Sequence, residues 1–494
     1  MIVESINEIQ ARPLSSNGAN LNNYIILEQI LTKIKMKLNR SLGISNQIQE
    51  CKAGSIIGLM EKEFPLSILS DLTEGDESRK RVFTINNTLL TMVLTATQQD
   101  KTLKNSVDLY YMIHQQHKQQ AVDELTHLAQ KHKELDEALG VKKAGRPKKY
   151  TVRLPKSLDK DISLNTAAYS KARDRVPVKL TQELFDASRI GNARNDYTHW
   201  HGYRVLIGDG TYIQMQDTQS IRKDYEVKYN GIGSEGYPQG LLEVLIERGT
   251  GQLHSFRLAN RHVSELSLFY DMIDELQPGS LLLLDDLYNC FEIISKCKGK
   301  GIELVIPDKK NRNYEVIEIL APGDEIVQIN TPKNRSKWLK KNEKANTFLL
   351  RRICCKSPLE KEYVLYTTVL DRNIDKEEIQ ILYLTRWDIE IGIREIKTIM
   401  DINIIRSKTP EMALKELTVS LAAYNLIRKI IYASIKDLPF SPKEDFIQKF
   451  YTFNQNIFID KTGRVYNRWS TGRRRTEADD NKTNALKTKT KQTV

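Results

Sequence analysis

Gly279-Ser-Leu-Leu-Leu-Leu-Asp285-Asp-Leu-Tyr288 is the stretch on which the fold turns. Pro278-Gly279 stops whatever precedes it, and an unbroken apolar run then ends on a carboxylate. A run this short and this uniformly apolar reads as a strand buried on both faces. Such a strand needs helices above and below, and the flanking sequence supplies them. Helical patterns are expected over about 263–276 and from Tyr288 to about 299, and Ile302-Glu-Leu-Val-Ile306 follows as a second strand. Upstream, Tyr203-Arg-Val-Leu-Ile207 is a β-branched run that is expected to end at Gly208-Asp209-Gly210-Thr211. Residues 241–247 and 252–258 flank Arg-Gly-Thr-Gly and read as a hairpin. Strands and helices interleaved in this order imply an α/β layer fold.

A second stretch carries the chemistry: Tyr383-Leu-Thr-Arg386-Trp-Asp-Ile-Glu390-Ile-Gly-Ile-Arg-Glu-Ile-Lys397. With 3.6 residues per turn, Tyr383, Arg386, Glu390 and Lys397 fall within roughly 60° of one another on a helical wheel. Ile389, Ile393, Ile396 and Met400 form the neighbouring stripe, which is expected to be core. Asp388 and Glu395 point away from the strip, so Glu390 is its acid. One carboxylate, two cations and a phenol suit a divalent metal beside a phosphate backbone. The same charges also suit a solvated helix face with weak i,i+4 pairing.

The chain has 494 residues and a net charge of +12, with a pI near 9.1. That length allows several domains, and that charge favours a polyanionic partner, most simply nucleic acid. Five cysteines at irregular spacing make neither a disulfide framework nor a zinc pattern, and a reduced cytoplasmic setting fits. The N-terminal residues lack the pattern of a signal peptide, no apolar run is long enough to span a membrane, and no P-loop is present. Six segments are expected. Residues 1–140 read as an all-α region, and 141–200 as a basic linker followed by helices leading into the core. Residues 201–307 hold the first part of the α/β core, and 308–375 a Lys-, Arg- and Asn-rich β insertion. Residues 376–435 hold the charged helix above and a strongly amphipathic helix. Residues 436–494 end in a tail in which ten Lys/Arg face three Asp/Glu over 461–494. Gly145-Arg146-Pro147 among lysines reads either as a solvated linker or as an arm for a narrow, electronegative minor groove.

The Tyr-x2-Arg-x3-Glu-x6-Lys spacing at 383–397 resembles the DDE transposases of bacterial insertion sequences, of the insertion-sequence-four type. Ile207-Gly-Asp209-Gly-Thr211 resembles that family's first catalytic block, and 279–288 its second. Taken alone, Asp209 could be an ordinary turn residue, and Asp285 and Asp286 an ordinary strand end. The resemblance selects Asp209, Asp285 and Glu390 as catalytic and metal-binding carboxylates, with Asp285 preferred to Asp286 because it stands three residues before Tyr288. It implies a ribonuclease-H-like core with a β insertion, preceded by an all-α DNA-binding region. It also implies two Mg²⁺ ions, replaceable by Mn²⁺, held by hard oxygen ligands. Tyr383, Arg386 and Lys397 are expected to hold DNA, with Arg146 in the linker as a further contact. Trp338, among cations in the insertion, is expected to stack on an unpaired base. Glu265 is expected to position the helix that bears it. The implied reaction is cut-and-paste transposition through a 3′-hydroxyl and a hairpin, by a homodimer on double-stranded DNA, with no membrane involved. The chain departs from the family at Asp286-Leu287, where relatives commonly have Arg-Gly. Two alternatives stay open: a catalytically inactive DNA-binding descendant, and a two-metal nuclease that performs no strand transfer.

Overall fold

The computed structural model describes residues 82–138, 154, 162–191, 198–225, 236–308, 312–330, 347–356, 362–435, 457–459 and 465–467. The chain divides into two compact units, Met1–Leu59 with Ala433–Phe440, and Met60–Tyr432 with Ser441–Val494. The second unit holds the features below. Its described N-terminal part is helical: α1 (Ile85–Ala96), α2 (Leu103–Ala138), α3 (Thr166–Arg175) and α4 (Val178–Ser188). Thr84 caps α1 by accepting from the Asn87 amide, and Asn165 caps α3 by accepting from that of Ala167. These side chains satisfy amides that the first turn leaves unpaired. Phe83 packs its ring 4.9 Å from Tyr110 and 5.2 Å from Tyr169, which ties the three elements α1, α2 and α3 into one core. Lys415 donates to the Asp174 carbonyl at 3.1 Å and links this helical group to the last helix of the unit.

The catalytic-type core is a mixed sheet. Its strands are β1 (Tyr203–Gln214), β2 (Gln239–Glu247), β3 (Leu253–Asn260), β4 (Ser280–Leu283) and β5 (Glu303–Pro307). They are joined by β6 (Glu315–Ala321), β7 (Asp324–Asn330), β8 (Thr347–Lys356) and β9 (Glu362–Thr367). The spatial order is β3-β2-β1-β4-β5-β9-β8-β7-β6, and the two residues His199–Trp200 complete a ten-stranded sheet by pairing with β1. β1, β2 and β3 are antiparallel, whereas β4 runs parallel to β1 and β5 parallel to β4. This is the ribonuclease-H-like arrangement expected from the order of strands and helices. Helix α5 (Gln219–Asp224) follows β1, and α6 (Glu265–Met272) and α7 (Phe291–Gly299) cover one face of the sheet. There Leu206, Leu245, Phe269, Leu282, Leu284, Tyr288, Ile294 and Leu304 form a buried cluster.

The strands of the insertion join the core sheet, because β9 pairs antiparallel with β5. A buried Arg351–Asp324 pair at 2.6 Å ties β8 to β7, and Arg351 also donates to the Asp371 and Ile374 carbonyls. One expectation needs correction: the first strand does not end at Gly208-Asp209. It continues to Gln214, with Asp209 opposite Val244. The glycines, read from sequence as a turn, serve close packing instead. A Cβ on Gly208 would lie 2.7 Å from the Phe269 ring and 2.9 Å from Leu284.

The stretch 383–397 is not one regular helix. It comprises the end of α8 (Lys376–Leu384), a 3-10 turn (Thr385–Trp387), α9 (Asp388–Arg394) and a π-helical turn (Glu395–Ile399). Gly392 lets α9 approach the sheet, since a Cβ there would meet Ile246 Cδ1 at 2.5 Å. Ile389, Ile396 and Met400 are buried, as the apolar stripe predicts, and Ile393 is half-buried. Glu395 points into the core and pairs there with Arg428 of α10 (Pro410–Ile435), both about 3% exposed. Tyr424 donates to Glu395 at 3.2 Å and to the Gly251 carbonyl at 2.9 Å. The π turn keeps Glu395 on this network: the Met400 amide bonds back five residues to the Glu395 carbonyl at 2.9 Å, and Asp401 closes the turn at φ +50°.

Removing one partner of such a pair leaves a buried charge uncompensated. Glu395→Ala is therefore expected to lower stability by about 3–5 kcal/mol in chemical denaturation. Arg428→Met added to it should recover part of that loss. A second prediction concerns acid. Burial, reinforced by Arg204 and Arg189, holds His254 down to about 3. The folded state then binds fewer protons than the unfolded state below the ordinary histidine value of about 6.5, so stability is lost as pH falls from there towards 3. The slope from this residue is at most about 1.4 kcal/mol per pH unit, and His254→Gln should flatten it in an acid melting series.

Candidate active site

The parallel register of β1 and β4 builds the site. Ile207 lies opposite Leu283, so the residues two further on, Asp209 and Asp285, come side by side. Because side chains alternate along a strand, both share the face of Ile207 and Leu283. Ile207 on that face lines a small cavity with Asp388, Ile391 and Gly392, so α9 covers this side. The opposite face, that of Gly208 and Gly210, carries α6 and the buried cluster.

The backbone fixes each aspartate. Asp209 accepts from the Gly210 amide at 2.9 Å. Asp285 accepts from the Leu287 amide at 2.8 Å and so caps the 3-10 turn Asp286–Tyr288. Burial pushes the Asp209 carboxyl up to about 6. The Gly210 amide opposes that shift, Asp285 and Glu265 add to it, and Arg386 opposes it. Asp285 is also raised, first by burial, with the Leu287 amide opposing, Asp286 adding and Arg386 opposing. Arg386 thus acts on both carboxylates. Its guanidinium lies 4.9 Å from the Trp387 ring centroid, and its Nε is buried without a hydrogen-bond partner among the described residues.

The other strip residues spread along the same side. The Tyr383 hydroxyl donates to the Leu284 carbonyl at 3.2 Å, one residue before Asp285, and its side chain is buried. Lys397 donates to Thr211 Oγ1 at 3.2 Å and to the Tyr212 carbonyl at 3.0 Å, just beyond Asp209. Glu390 lies on α9 between them and is exposed, with no hydrogen bond or ion pair to another described residue. Trp338 and Arg146 lie outside the described residues.

Behind the first pair lies a second, Glu265, which the sequence singled out, and Glu243, which sequence reasoning missed. Glu243 of β2 sits opposite Gly210 in the antiparallel register and is fully buried. The Tyr288 hydroxyl lies 2.7 Å from Glu243 Oε1 and 2.9 Å from Glu265 Oε1. A Cβ on Gly210 would collide with Glu265 Oε1 and lie 2.7 Å from Glu243 Oε2, so only glycine leaves room for the pair. Glu243 Oε2 has no partner among the described residues. Burial pushes Glu243 well above the usual carboxylate range, and Glu265 is raised by burial too. The available signal was a single Glu within the apolar run Leu241-Leu-Glu-Val-Leu-Ile246.

Hard carboxylate oxygens side by side and partly buried, with Asp285 raising Asp209, are the donor chemistry that a divalent cation of the Mg²⁺ class favours. Asp209 and Asp285 fit that role as they stand. Among the described residues no three acid, histidine or cysteine side chains converge on one metal-sized point.

Residues 200–426 match the family described as "Transposase DDE domain". The matched stretch coincides with the mixed α/β core, which is thus similar to DDE transposase domains. A curated relative is the "Transposase InsG for insertion sequence element IS4" of Escherichia coli (strain K12), 28% identical over 269 residues. That alignment covers 53% of this chain, and the chain spans 60% of the relative's length. A piggyBac transposase synaptic complex with hairpin DNA, solved by cryo-EM, aligns over 57% of each chain at 11% identity with a TM-score of 0.30. A likeness that slight carries no functional weight. No helix among the described residues is long and apolar enough to cross a membrane.

One prediction tests the acid pair behind the site. Tyr288→Phe removes the hydroxyl that Glu243 and Glu265 share and leaves two buried carboxyls with one donor fewer. It is expected to cost about 1–3 kcal/mol in thermal or denaturant unfolding, with the fold retained by circular dichroism.

Proposed function

We propose that this protein is the transposase of an insertion sequence, acting on double-stranded DNA at the ends of the element. The observation that carries this reading is the β1–β4 register. It sets Asp209 beside Asp285 with Arg386 acting on both, on the face that the Glu390 helix covers. Asp209, Asp285 and Glu390 would hold Mg²⁺ or Mn²⁺, two ions in all. Bound there, the metal would supply activation of a water or 3′-hydroxyl and stabilisation of the leaving oxygen in an in-line displacement at phosphorus.

The protein's own residues do the rest. The amides of Gly210 and Leu287 hold the two aspartates in place, so their oxygens need little rearrangement when the substrate arrives. Arg386 places a fixed positive charge beside them, suited to a non-bridging phosphate oxygen. Tyr383 anchors the helix to the end of β4 through Leu284 and presents the Arg386 turn that follows it. Lys397, now on Thr211 and Tyr212, stands at the exit of the site, where it can exchange a backbone carbonyl for a phosphate. Asp286 is exposed and Asp285 half-buried beside Asp209, which favours Asp285 as the second ligand. The reaction we assign is nicking at the element's end to free a 3′-hydroxyl, release through a hairpin, and strand transfer to a target. Both ends must be cut and joined together, which favours a homodimer.

The test is cleavage of a labelled duplex bearing the element's end, with Mg²⁺ or Mn²⁺. Asp209→Asn, Asp285→Asn and Glu390→Gln should each lower nicking by about two to three orders of magnitude or more while leaving duplex affinity within about threefold. Nicking by wild type without joined products would identify a nuclease. End-specific binding without cutting would identify an inactive descendant.

A further inference from the structure

A cavity of about 550 Å³ lies between the N-terminal helices α1, α2 and α3 on one side and the segment 406–409 with α10 on the other. Four cations line it, Lys101, Arg173, Arg406 and Lys408, against two carboxylates, Asp174 and Glu416. Four minus two leaves a lining charge of +2. Glu416 is occupied by neutral donors, the Arg406 amide at 2.9 Å and the Ser407 hydroxyl. Arg406 is paired with Asp401 at 2.7 Å. The other three cations have no carboxylate partner among the described residues. Lys101 donates only to the carbonyls of Met400 and Asp401, and Arg173 only to Ser407 Oγ at 3.4 Å. Burial pushes Lys101 down to about 8, with Asp401 opposing that shift, Arg406 adding to it and Glu416 opposing it. A concave, partly sheltered site with surplus positive charge concentrates anions.

Its place in the fold says which anion. β1 carries Asp209 and runs on to Gln214, where the Gln214 amide bonds to the Asn403 carbonyl at 2.8 Å and the Ile405 amide to the Gln214 carbonyl at 2.9 Å. The cationic segment 406–408 follows directly. Five strand residues from Asp209 to Gln214 span roughly 17 Å. Because a duplex rises ~3.4 Å and turns about a tenth of a turn per step, phosphates of one strand roughly 17 Å apart in a straight line are about three nucleotides apart. A strand of DNA with its reacting phosphate at Asp209 and Asp285 that runs along β1 would come to this cavity about three nucleotides away.

We propose that this cavity is a phosphate site for the DNA strand, in which Lys101, Arg173 and Lys408 grip one backbone phosphate about three nucleotides from the scissile bond. The assignment rests on the transposase reading, because that reading is what brings DNA to β1. The site joins the helical region to the DDE core through their shared ligand.

The test measures binding of the full-length protein to a duplex bearing the element's end across a KCl series. Arg173→Gln, Lys408→Gln and the double variant are compared with wild type. Lys408→Glu serves as a second variant at an exposed position whose change leaves folding intact. Each single variant is expected to bind about three- to tenfold more weakly, and the double variant should lower the salt slope by about one. A methylphosphonate placed about two to four nucleotides from the cut should weaken wild type and leave the double variant indifferent. Unchanged affinity and slope in the variants, with metal-dependent nicking intact, overturns the cavity assignment and leaves the transposase reading standing. Variant-sensitive duplex binding with no nicking under any condition keeps the cavity assignment and overturns that reading. Calorimetric binding of dAMP or inorganic phosphate that the variants abolish, with duplex affinity unaltered, overturns the DNA assignment in favour of a small phosphorylated ligand.

Discussion

Everything at the candidate site depends on the register of one parallel strand pair. Ile207 opposite Leu283 puts Asp209 next to Asp285 on a single face. A slip of one residue would turn one carboxylate to the opposite face, into the α6–α7 cluster. That slip is prevented from both sides. Gly208 admits Phe269 and Leu284 at distances no Cβ would allow, and Gly210 leaves room for Glu265 and Glu243. The two glycines that bracket Asp209 are thus register devices, and the aspartate between them is the residue they position.

The same strand explains why acids occur on both of its faces. Asp209 and Asp285 are partly open to solvent on the α9 side, where a cation and a phosphate can reach them. Glu243 and Glu265 lie behind Gly210 with one tyrosine hydroxyl between them. Their burial disfavours two negative charges there. The rear pair is therefore suited to holding the backbone at Gly210 behind Asp209. The helix over the front face is fixed by a different device. Glu395 and Arg428 neutralise each other in the core, Tyr424 connects them to the β2–β3 turn at Gly251, and the π turn at Glu395–Ile399 absorbs the mismatch.

How much of this was legible followed from the kind of signal. The apolar run 280–284 and the Tyr-Arg-Glu-Lys spacing announced a buried strand and a charged helix, because each is a local pattern with one physical reading. The end of the first strand was misplaced because Gly-Asp-Gly has two readings, turn or close packing. The contact that decides between them, Phe269 against Gly208, is sixty residues distant in sequence. A wheel drawn on a uniform helix placed Glu395 away from the strip, which is correct. It could not show the π turn at 395–399, where Glu395 is held by a partner, Arg428, on another helix. Glu243 was hidden for the same reason: its partner Tyr288 comes from a different strand end. That the insertion strands would extend the core sheet depended on β9 pairing with β5, and strand edges leave no mark in local sequence.

The departure from the family at Asp286-Leu287 can be weighed on the same footing. The contact that fixes Asp285 here is the backbone amide of residue 287, which any residue but proline supplies in this conformation. The Leu287 side chain is partly exposed and is not part of that contact. A negative charge beside the proposed metal ligands would, moreover, add attraction for a cation. Asp286 adds a negative charge that raises Asp285, yet it is exposed, so solvent screens it. Arg386 opposes the shift from a guanidinium whose Nε is buried, where screening is weaker. The departure at 286–287 therefore changes the field around Asp285 and leaves the amide contact that holds it in place.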